Sequence, residues 1–175
     1  MDISIQGPSF NMATLCEPIL RSLPDWFAIE EATSRYIKEI DDLPTLVAFV
    51  GGEPVGFLTL RHHSQYAAEI HVMGVRPELH RRGVGRSLVA EAEKVLRRRG
   101  VEYLQVKTLG PSHPDECYAR TRSFFFALGF RPLEESIAVW GSENPCLQMV
   151  KSLVATTPAA QQLAGVSCKL SSANR

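Results

Sequence analysis

The fold is decided by the stretch Ala68-Glu69-Ile70-His71-Val72-Met73-Gly74-Val75, which is followed directly by Arg76-Pro77-Glu78-Leu79-His80-Arg81-Arg82-Gly83-Val84-Gly85-Arg86-Ser87-Leu88-Val89. The first eight residues read as a strand, the middle ones as a basic turn with glycines, and the apolar positions from Val84 onward recur at helical spacing. A strand that leads through such a turn into a helix presents free backbone amides to an anion. The stretch therefore predicts a site for a phosphate-containing ligand.

Side-chain alternation along the strand separates two faces. It predicts that Ile70 and Val72 lie on a core face, whereas Glu69, His71 and Met73 lie on a face that can line a cleft. Glu69 and His71 both titrate, so the second face holds two candidates for moving a proton.

The helix predicted over residues 84–99 is amphipathic. Gly83 and Gly85 stand at its start, where they permit a tight turn and the close approach of an anion to the first amides. Three arginines add positive charge there: Arg81, Arg82 and Arg86. Similar glycine turns also begin helices for purely structural reasons, so the turn alone does not establish a ligand site.

Two motifs give the chain a family resemblance. His80, Arg81-Arg82, Gly83, Val84 and Gly85 resemble motif A of the GNAT superfamily of acyl-coenzyme A-dependent N-acyltransferases, in which Gln or Arg is more usual at the position of His80. The closing helix runs from Tyr118 and ends in Leu128-Gly129-Phe130, an ending typical of that family. The resemblance covers about residues 3–151.

The resemblance implies an α/β (α+β) architecture, the GNAT fold. That fold has a mixed central sheet of six to seven strands, about four flanking helices and a V-shaped splay at the fourth strand. We expect a single GNAT domain over residues 1–151. The small, polar composition of residues 152–175 predicts a mobile C-terminal tail.

A coarse secondary-structure prediction follows from periodicity and turn residues. Asp25 is the expected N-cap of the second helix. Beyond the central stretch, the predicted strands are residues 2–6, 45–50, 54–60, 101–108, 130–139 and 147–151, and the predicted helices are residues 11–23, 25–40 and 116–128.

The resemblance also implies acetyl-coenzyme A as acyl donor and a set of residues that bind it. Met73, Gly74 and Val75 would hold pantetheine through backbone groups left free where the strand splays, which we expect beyond Met73. The segment from Arg81 to Ser87 would hold the pyrophosphate. The complete expected set is Met73, Gly74, Val75, Arg81, Arg82, Gly83, Val84, Gly85, Arg86, Ser87, Tyr118 and Phe125.

Direct transfer from the thioester to an amine needs a base, because an amine is mostly ammonium at neutral pH. Glu69 is the first candidate, since it lies in a region where several GNAT enzymes carry a base. His71 competes, because its ordinary pKa of ~6.5 suits proton transfer near neutrality. Glu69 has an equally plausible structural interpretation as a solvated carboxylate on a half-exposed strand.

The usual acid of the family is missing here. Phe125 stands where many GNAT enzymes have a tyrosine that protonates the departing thiolate. Tyr118 occupies a position that often contacts the cofactor, and it is the remaining candidate to reach the sulfur. The departure at Phe125 motivates an alternative function, a non-catalytic module that binds or senses acyl-coenzyme A.

The acceptor is expected to be a primary amine of a small molecule or of a protein. Its pocket is predicted to include Trp26, Phe27 and Glu69, because an aromatic wall beside a carboxylate suits an amine. Trp26 reads equally well as part of the core.

Composition argues against several other partners. Lysine plus arginine and aspartate plus glutamate number 19 each, so the net charge is zero and no global field attracts nucleic acid or an anionic membrane. No apolar run approaches the ~20 residues of a membrane helix, and the N-terminus lacks the basic-then-apolar pattern of a signal peptide. We expect a cytoplasmic protein with neither partner.

The four cysteines are widely spaced and include no C-x-x-C pair. Cys16, Cys117, Cys146 and Cys168 are therefore expected to be reduced thiols, and neither a zinc site nor another bound metal is predicted. Dimers are frequent in the family that the chain resembles, so a homodimer is the assembly that the resemblance suggests.

Overall fold

The computed structural model describes residues 1–154, which fold into one sheet with helices on both faces. In chain order the elements are β1 (Ser4–Ser9), α1 (Ala13–Arg21), α2 (Glu30–Asp42), β2 (Thr45–Val50), β3 (Glu53–His62), β4 (Ala67–Val75), a short 3-10 turn (Pro77–Leu79), α3 (Val84–Arg98), β5 (Tyr103–Leu109), α4 (Glu116–Ala127), β6 (Arg131–Ser136) and β7 (Cys146–Ser152). The seven strands and four α-helices within these residues agree with the predicted number.

The sheet is mixed, with the strand order β1-β2-β3-β4-β5-β7-β6. β4 and β5 are parallel, and every other neighbouring pair is antiparallel. Parallel neighbours need a long crossover connection. α3 supplies it, and its observed bounds match the helix predicted over residues 84–99 to within one residue.

Two apolar cores lie on opposite faces of the sheet. The larger one joins α3 and α4 to the sheet, with Leu88, Leu96 and Phe125 among its buried members. The smaller one joins α1 and α2 to the other face through residues such as Ile19 and Ile40. The sheet therefore carries α3 and α4 on one face and α1 and α2 on the other.

A β-bulge at His71 changes the predicted faces of β4. Thr59 of β3 pairs with Val72 and Leu60 pairs with Ile70, so His71 has no partner across the ladder. The extra residue shifts the alternation: Ile70 and Met73 both pack with the larger core, whereas Val72 belongs to the smaller one. The predicted grouping of Ile70 with Val72, and of Met73 with Glu69, is wrong for this reason.

The splay of β4 from β5 begins earlier than predicted. The parallel ladder runs from Ala67 paired with Tyr103 to Ile70 paired with Val106 and ends there. β4 continues to Val75 against β3 alone. The backbone edge of β4 that faces β5 is therefore open from His71 onward rather than beyond Met73, and the bulge at His71 coincides with the point of separation.

Three predicted boundaries are wrong by three residues or more. β1 ends at Ser9 rather than at residue 6. α2 begins at Glu30 after an extended Ile29 rather than at an Asp25 cap, since Glu30 and Glu31 place acidic charge in its first turn, where the helix dipole favours it. β6 ends at Ser136 rather than at residue 139. The chain turns there, and the Gly141 amide donates to the Ile137 carbonyl at 2.9 Å.

The packed chain extends slightly beyond the predicted domain boundary at residue 151. Ser152 is the last residue of β7, and Leu153 is 4% exposed and donates its amide to the Glu102 carbonyl. The remaining part of the predicted tail, residues 155–175, lies outside the described residues.

Candidate active site

A cavity of about 1230 Å³ occupies the open V between β4 and β5. Most of the predicted site residues line it: Trp26, Phe27, His71, Met73, Gly74, Val75, Arg81, Gly83, Val84, Gly85, Arg86, Tyr118 and Phe125. Arg82, Ser87 and Glu69 are predicted site residues that are not among its lining residues. The cavity runs from the turn before α3 to the bulge at His71.

The turn before α3 is shaped for an anion. Arg81 and Gly83 both have left-handed backbone angles, with φ of +60° and +91°. Gly83 is the N-cap of α3, and the first helical bond runs from the Ser87 amide to its carbonyl. The amides of the first turn of α3, which come before Ser87, have no carbonyl within the helix to bind. They are therefore available to a phosphate beside Arg81 and Arg86.

A glycine is needed at position 85 because of close side-chain packing, and not because of its backbone conformation. A Cβ at this position would lie 3.2 Å from Cζ of Phe124, whose ring covers the start of α3. The two glycines of the motif therefore have different roles: Gly83 adopts the left-handed turn, and Gly85 makes room for the α4 aromatic side chain.

The open edge of β4 offers backbone groups to an extended ligand. The Arg76 amide donates to the Val55 carbonyl of β3. Since backbone groups alternate sides along a strand, those of Met73 and Val75 face away from β3, towards the cavity. The Val75 carbonyl already accepts a hydrogen bond from Nε2 of His80 at 2.7 Å, so it is not free as predicted. The same alternation turns the backbone groups of Gly74 towards β3, where Gly74 pairs with Phe57, so the prediction that they are free is also wrong.

The wall formed by α4 is tied to the loop after α1. Nε1 of Trp26 donates to Oγ1 of Thr121 at 3.0 Å, and the Tyr118 hydroxyl donates to the Trp26 carbonyl at 3.0 Å. Burial raises the pKa of Tyr118 to about 12. Its proton is therefore both engaged and hard to release, which makes Tyr118 a poor acid for a thiolate.

Phe125 lies at the junction of the cavity and the larger core. It is 3% exposed, and its ring packs edge to face against Phe124 and Phe130, with centroids 5.1 and 5.3 Å away. The side chain lines the cavity but has no polar atom. This position can shape the wall and cannot donate a proton.

Glu69 is buried in a cluster of donors. The residue is 4% exposed, and its Oε2 accepts from Nε2 of His63 at 2.6 Å, from Nζ of Lys107 at 2.7 Å and from Nε2 of Gln105 at 3.0 Å. Burial alone would raise its pKa, but the bonds from Lys107 and His63 hold it below the ordinary value. The carboxylate is therefore stabilised as an anion, which weakens it as a base.

His71 has a carboxylate partner that the sequence did not indicate. Its Nε2 lies 2.6 Å from Oε2 of Glu39 on α2, and Nη2 of Arg61 lies 3.0 Å from the other oxygen of Glu39. Among the described residues, the ring makes one hydrogen bond, which Nε2 donates to Glu39. Nη2 of Arg61 lies 3.2 Å from the same nitrogen, but two donors cannot bond to each other. Burial lowers the pKa of His71, although Glu39 opposes this effect. The imidazole is therefore neutral at pH 7, and Nδ1 is left as its acceptor.

A smaller cavity of about 210 Å³ adjoins this group. It is lined by Tyr36, Arg61, His63, Glu69, His71, Lys107, Val139 and Trp140. Four of these residues also line the main cavity: Tyr36, His71, Lys107 and Trp140. His71 thus stands between the space along β4 and a polar pocket that holds Glu69.

Several site residues come from elements that carry no motif. Glu39 is 32 positions away from His71 in sequence, and Lys107 is 38 positions from Glu69. Trp140 lies in the loop between β6 and β7. The folding of the sheet alone brings these residues together. The sequence gives one hint of them: Lys107 follows a buried position in the strand predicted over residues 101–108.

Residues 1–154 contain neither a metal-binding cluster nor a membrane-spanning helix. That part of the chain contains no cluster of three or more His, Cys, Asp or Glu side chains able to hold a metal ion. None of its helices is both long enough and apolar enough to cross a membrane. Its three cysteines, Cys16, Cys117 and Cys146, are free thiols.

Solved structures of similar fold have different stated acceptors. The PaiA N-acetyltransferase of Thermoplasma acidophilum, in complex with coenzyme A, has a TM-score of 0.68 at 20% identity, covering 87% of this chain and 99% of that one. The ribosomal-protein-S18-alanine N-acetyltransferase of Escherichia coli gives 0.70 at 14%, covering 90% and 98%. The aminoglycoside 6'-N-acetyltransferase of Enterococcus faecium gives 0.67 at 19%, covering 89% and 98%.

A comparison with the curated proteins gave no match. The family model described as Acetyltransferase (GNAT) family matches residues 13–130, a span that begins with α1 and ends just after α4 and includes the whole V between β4 and β5. Because the match covers more than half of the chain, the protein belongs to the Acetyltransferase (GNAT) family.

Proposed function

We propose that this acetyltransferase moves the acetyl group of acetyl-coenzyme A directly onto a primary amine, and that His71, held by Glu39, removes the proton of that amine. The observation that carries the proposal is the pairing of His71 and Glu39 at 2.6 Å beside the cavity of the V. A carboxylate on one nitrogen of an imidazole fixes its tautomer and leaves the other nitrogen as the base.

The main cavity offers the groups that the donor needs. The first-turn amides of α3, with Arg81 and Arg86, suit a pyrophosphate. The outward backbone groups of Met73 and the Val75 amide suit the amides of pantetheine. The similar PaiA structure is a complex with coenzyme A, which supports the same ligand here. Arg120 of α4 also lines the cavity and adds a third positive charge.

Two groups compete for the role of base, and geometry favours His71. His71 lines the main cavity, and its Nδ1 is not used by the hydrogen bonds of the described residues. Glu69 lines only the smaller cavity, and three donors converge on one of its oxygens. We propose that the Glu69 carboxylate holds Lys107 and His63 in place through its hydrogen bonds. Glu69 remains the alternative base.

The reaction then needs few groups. The bound ammonium first passes a proton to Nδ1 of His71, and the positive charge that forms on the imidazole is offset by Glu39. The free amine nitrogen then attacks the thioester carbon and loses its second proton to water as the amide forms. The bond between carbon and sulfur breaks, and its electron pair stays on the sulfur. A thiolate is a good leaving group near neutral pH, with ~8.5 as the pKa of a free thiol, so turnover does not require a tyrosine at position 125.

The acceptor is proposed to enter from the side of Trp26, Tyr36 and Trp140. All three side chains line the cavity, and the Tyr36 ring lies 5.5 Å from the His71 ring. Aromatic faces favour an amine carried as a cation. The stated acceptors of the similar structures are a protein alanine and an aminoglycoside. Protein amines and small-molecule amines should therefore both be tested as acceptors. A cytoplasmic location and a homodimer stay predictions.

Release of free thiol from acetyl-coenzyme A, measured with a panel of amines and N-terminal peptides, tests this function. We expect at least one amine to stimulate release by the unmodified protein, and His71→Gln to remove that stimulation while it keeps acetyl-coenzyme A binding. If the protein binds acetyl-coenzyme A tightly and no acceptor stimulates release, the proposal fails and the non-catalytic acyl-coenzyme A module takes its place.

A further inference from the structure

The smaller cavity beside His71 is lined by an arginine, a lysine and, within residues 1–154, a single carboxylate. Arg61 and Lys107 supply positive charge there, and Glu69 supplies the negative charge. Lys107 donates to Glu69 at 2.7 Å, and Arg61 lies 3.0 Å from Glu39, which is not among the lining residues. Each cation therefore has one carboxylate partner, and these four side chains together carry no net charge.

The polar groups that this cavity leaves unclaimed are mostly hydrogen-bond donors. Lys107 uses one of its ammonium hydrogens on Glu69, and within residues 1–154 neither Nη1 of Arg61 nor the Tyr36 hydroxyl has a partner. The side chains of Lys107 and Arg61 are 25% and 37% exposed, so a ligand can reach both of them. A carboxylate accepts hydrogen bonds and donates none, so it complements this set of donors.

Lys107 stands beside His71 at the point where the V opens. The parallel ladder ends with Ile70 paired to Val106, and His71 and Lys107 are the next residues of the two strands. Neighbouring strands lie about 4.8 Å apart, so little more than that spacing separates the backbones of the proposed base and of the lysine. Both residues line both cavities. A ligand that places an amine at His71 therefore needs only a short spacer to place an anion at Lys107.

On the basis of the proposed function, we infer that the acceptor is a free amino acid. Its carboxylate binds to Lys107 and Arg61 in the smaller cavity, while its amine lies at His71. An amino acid is a zwitterion, so its two opposite charges leave the neutral cluster neutral. Its side chain is left to the aromatic lining of the main cavity at Trp26 and Trp140.

Other classes of amine fit the smaller cavity less well. A polyamine or an aminoglycoside brings further ammonium groups, but three donors already converge on Oε2 of Glu69. The N-terminal amine of a protein is followed by a peptide bond, which carries no charge to pair with Lys107. A phosphorylated amine carries a second negative charge, which the paired side chains do not balance. The cavity volume of about 210 Å³ is several times the ~30 Å³ of one water molecule, so a carboxylate group fits.

A panel of matched amines tests the need for a carboxylate with the unmodified protein. It contains natural amino acids, each with its amide and with the decarboxylated amine of the same side chain, and thiol release from acetyl-coenzyme A is measured. For the amino acid with the highest rate, we expect kcat/KM to exceed the values of its amide and its decarboxylated amine by about 10²-fold or more, the effect of losing hydrogen bonds between charged groups. The aminophosphonate of the same skeleton should also react more slowly than the amino acid.

Lys107→Met tests the side chain that binds the carboxylate. We expect the ratio of kcat/KM between the amino acid and its amide to fall by about tenfold or more, because only the amino acid uses the charge of Lys107. A general loss of activity cancels in this ratio, so a merely structural role of Lys107 would leave the ratio unchanged.

Lys151→Met is the matched control. Lys151 is also a strand lysine bonded to a buried glutamate, Glu93, and its side chain is 20% exposed. It is not among the lining residues of either cavity, so Lys151→Met should keep the full ratio.

An amide or a decarboxylated amine that reacts as fast as its amino acid would overturn the inference, and so would a polyamine, a peptide or an aminophosphonate that reacts best. An unchanged ratio in Lys107→Met would also overturn it. If Lys107→Met does not fold, the panel with the unmodified protein decides alone. Acetylation of amines without preference for a carboxylate would leave the proposed function intact, whereas the absence of thiol release with every amine would overturn both.

Discussion

Nε2 of His71 and Oε2 of Glu39 lie 2.6 Å apart, although one residue belongs to the central strand β4 and the other to helix α2. The bulge at His71 removes this residue from the β3 ladder at the point where β4 also separates from β5. The ring is thereby turned towards α2 and stands between two cavities. A local irregularity of the strand thus creates the pair of groups to which we assign proton transfer.

Removing the imidazole should affect chemistry far more than binding. We expect His71→Gln to lower kcat by a factor of about 10² to 10⁴, the range for loss of a general base, with little change in the dissociation constant of acetyl-coenzyme A. Glu39→Gln keeps an acceptor for Nε2 and should cause a smaller loss. Steady-state kinetics with the best amine of the panel and calorimetric binding check both effects. A loss of activity in Glu69→Gln that equals the loss in His71→Gln, in a stably folded variant, would move the base to Glu69.

The Glu69 cluster should show in the pH dependence of stability. The pKa of Glu69 in the folded protein lies below its ordinary value of 4.5, so its contribution is fully present above that ordinary value and is lost as the pH falls through the lowered pKa. We expect Glu69→Gln to reduce the free energy of unfolding by about 1–3 kcal/mol at pH 7, and the difference to shrink as the pH falls below 4.5.

Urea unfolding at several pH values measures this difference. Glu91→Gln is the control, because Glu91 pairs with an exposed Lys94 at 3.0 Å and exposed pairs contribute only about 0–1 kcal/mol. A pH-independent difference for Glu69→Gln would contradict the view that Glu69 is stabilised as an anion.

The left-handed turn at Gly83 should matter for the donor as well as for stability. Gly83 has φ of +91° and no atom near an added Cβ, so Gly83→Ala is strained only through its backbone, at a cost of about 1–2 kcal/mol. Because the same strain disturbs the first-turn amides of α3, we also expect weaker binding of acetyl-coenzyme A.

Gly100→Ala is a matched control for Gly83→Ala. Gly100 follows the other end of α3, has φ of +77° and is equally open to an added Cβ. The two variants should lose similar stability, but only Gly83→Ala should bind acetyl-coenzyme A more weakly. Equal binding by both variants would argue that the α3 amides do not hold the cofactor.

The link between Trp26 and Thr121 joins the loop after α1 to α4 across the cavity. Trp26→Phe and Thr121→Val each remove the 3.0 Å bond, so their effects on stability should be coupled, with an interaction energy of about 1 kcal/mol in a double-mutant cycle. Thr121→Ser keeps the hydroxyl and should behave as the unmodified protein. Strictly additive effects would show that the bond does not form in solution.

The sequence predicted the parts of the fold that depend on local patterns. The glycine turn and α3 were located to within one residue, because apolar spacing and the glycine at each end mark a helix directly. The faces of β4 were assigned wrongly because the bulge at His71 arises from the register with β3, which no short-range pattern encodes. The start of α2 was misplaced because Asp25 resembled a cap, while the helix begins five residues later.

The site was predictable on its cofactor side and hardly on its catalytic side. A motif places Gly83, Gly85 and the adjacent arginines next to one another in sequence. By contrast, Glu39 reaches His71 only through the packing of α2 on the sheet. Contacts between distant elements therefore decided which side chains could act on a substrate.

The pH dependence of kcat/KM tests the central claim most directly, because it reports the essential groups of the free enzyme. With one amine acceptor, the unmodified protein should lose activity at low pH with an apparent pKa below 6.5, since burial lowers the pKa of His71. Glu39→Gln should move that limb to still lower pH, because Glu39 raises the pKa of His71, and His71→Gln should abolish it. An unshifted limb in Glu39→Gln, together with the same limb in His71→Gln, would contradict the assignment of His71 as the base.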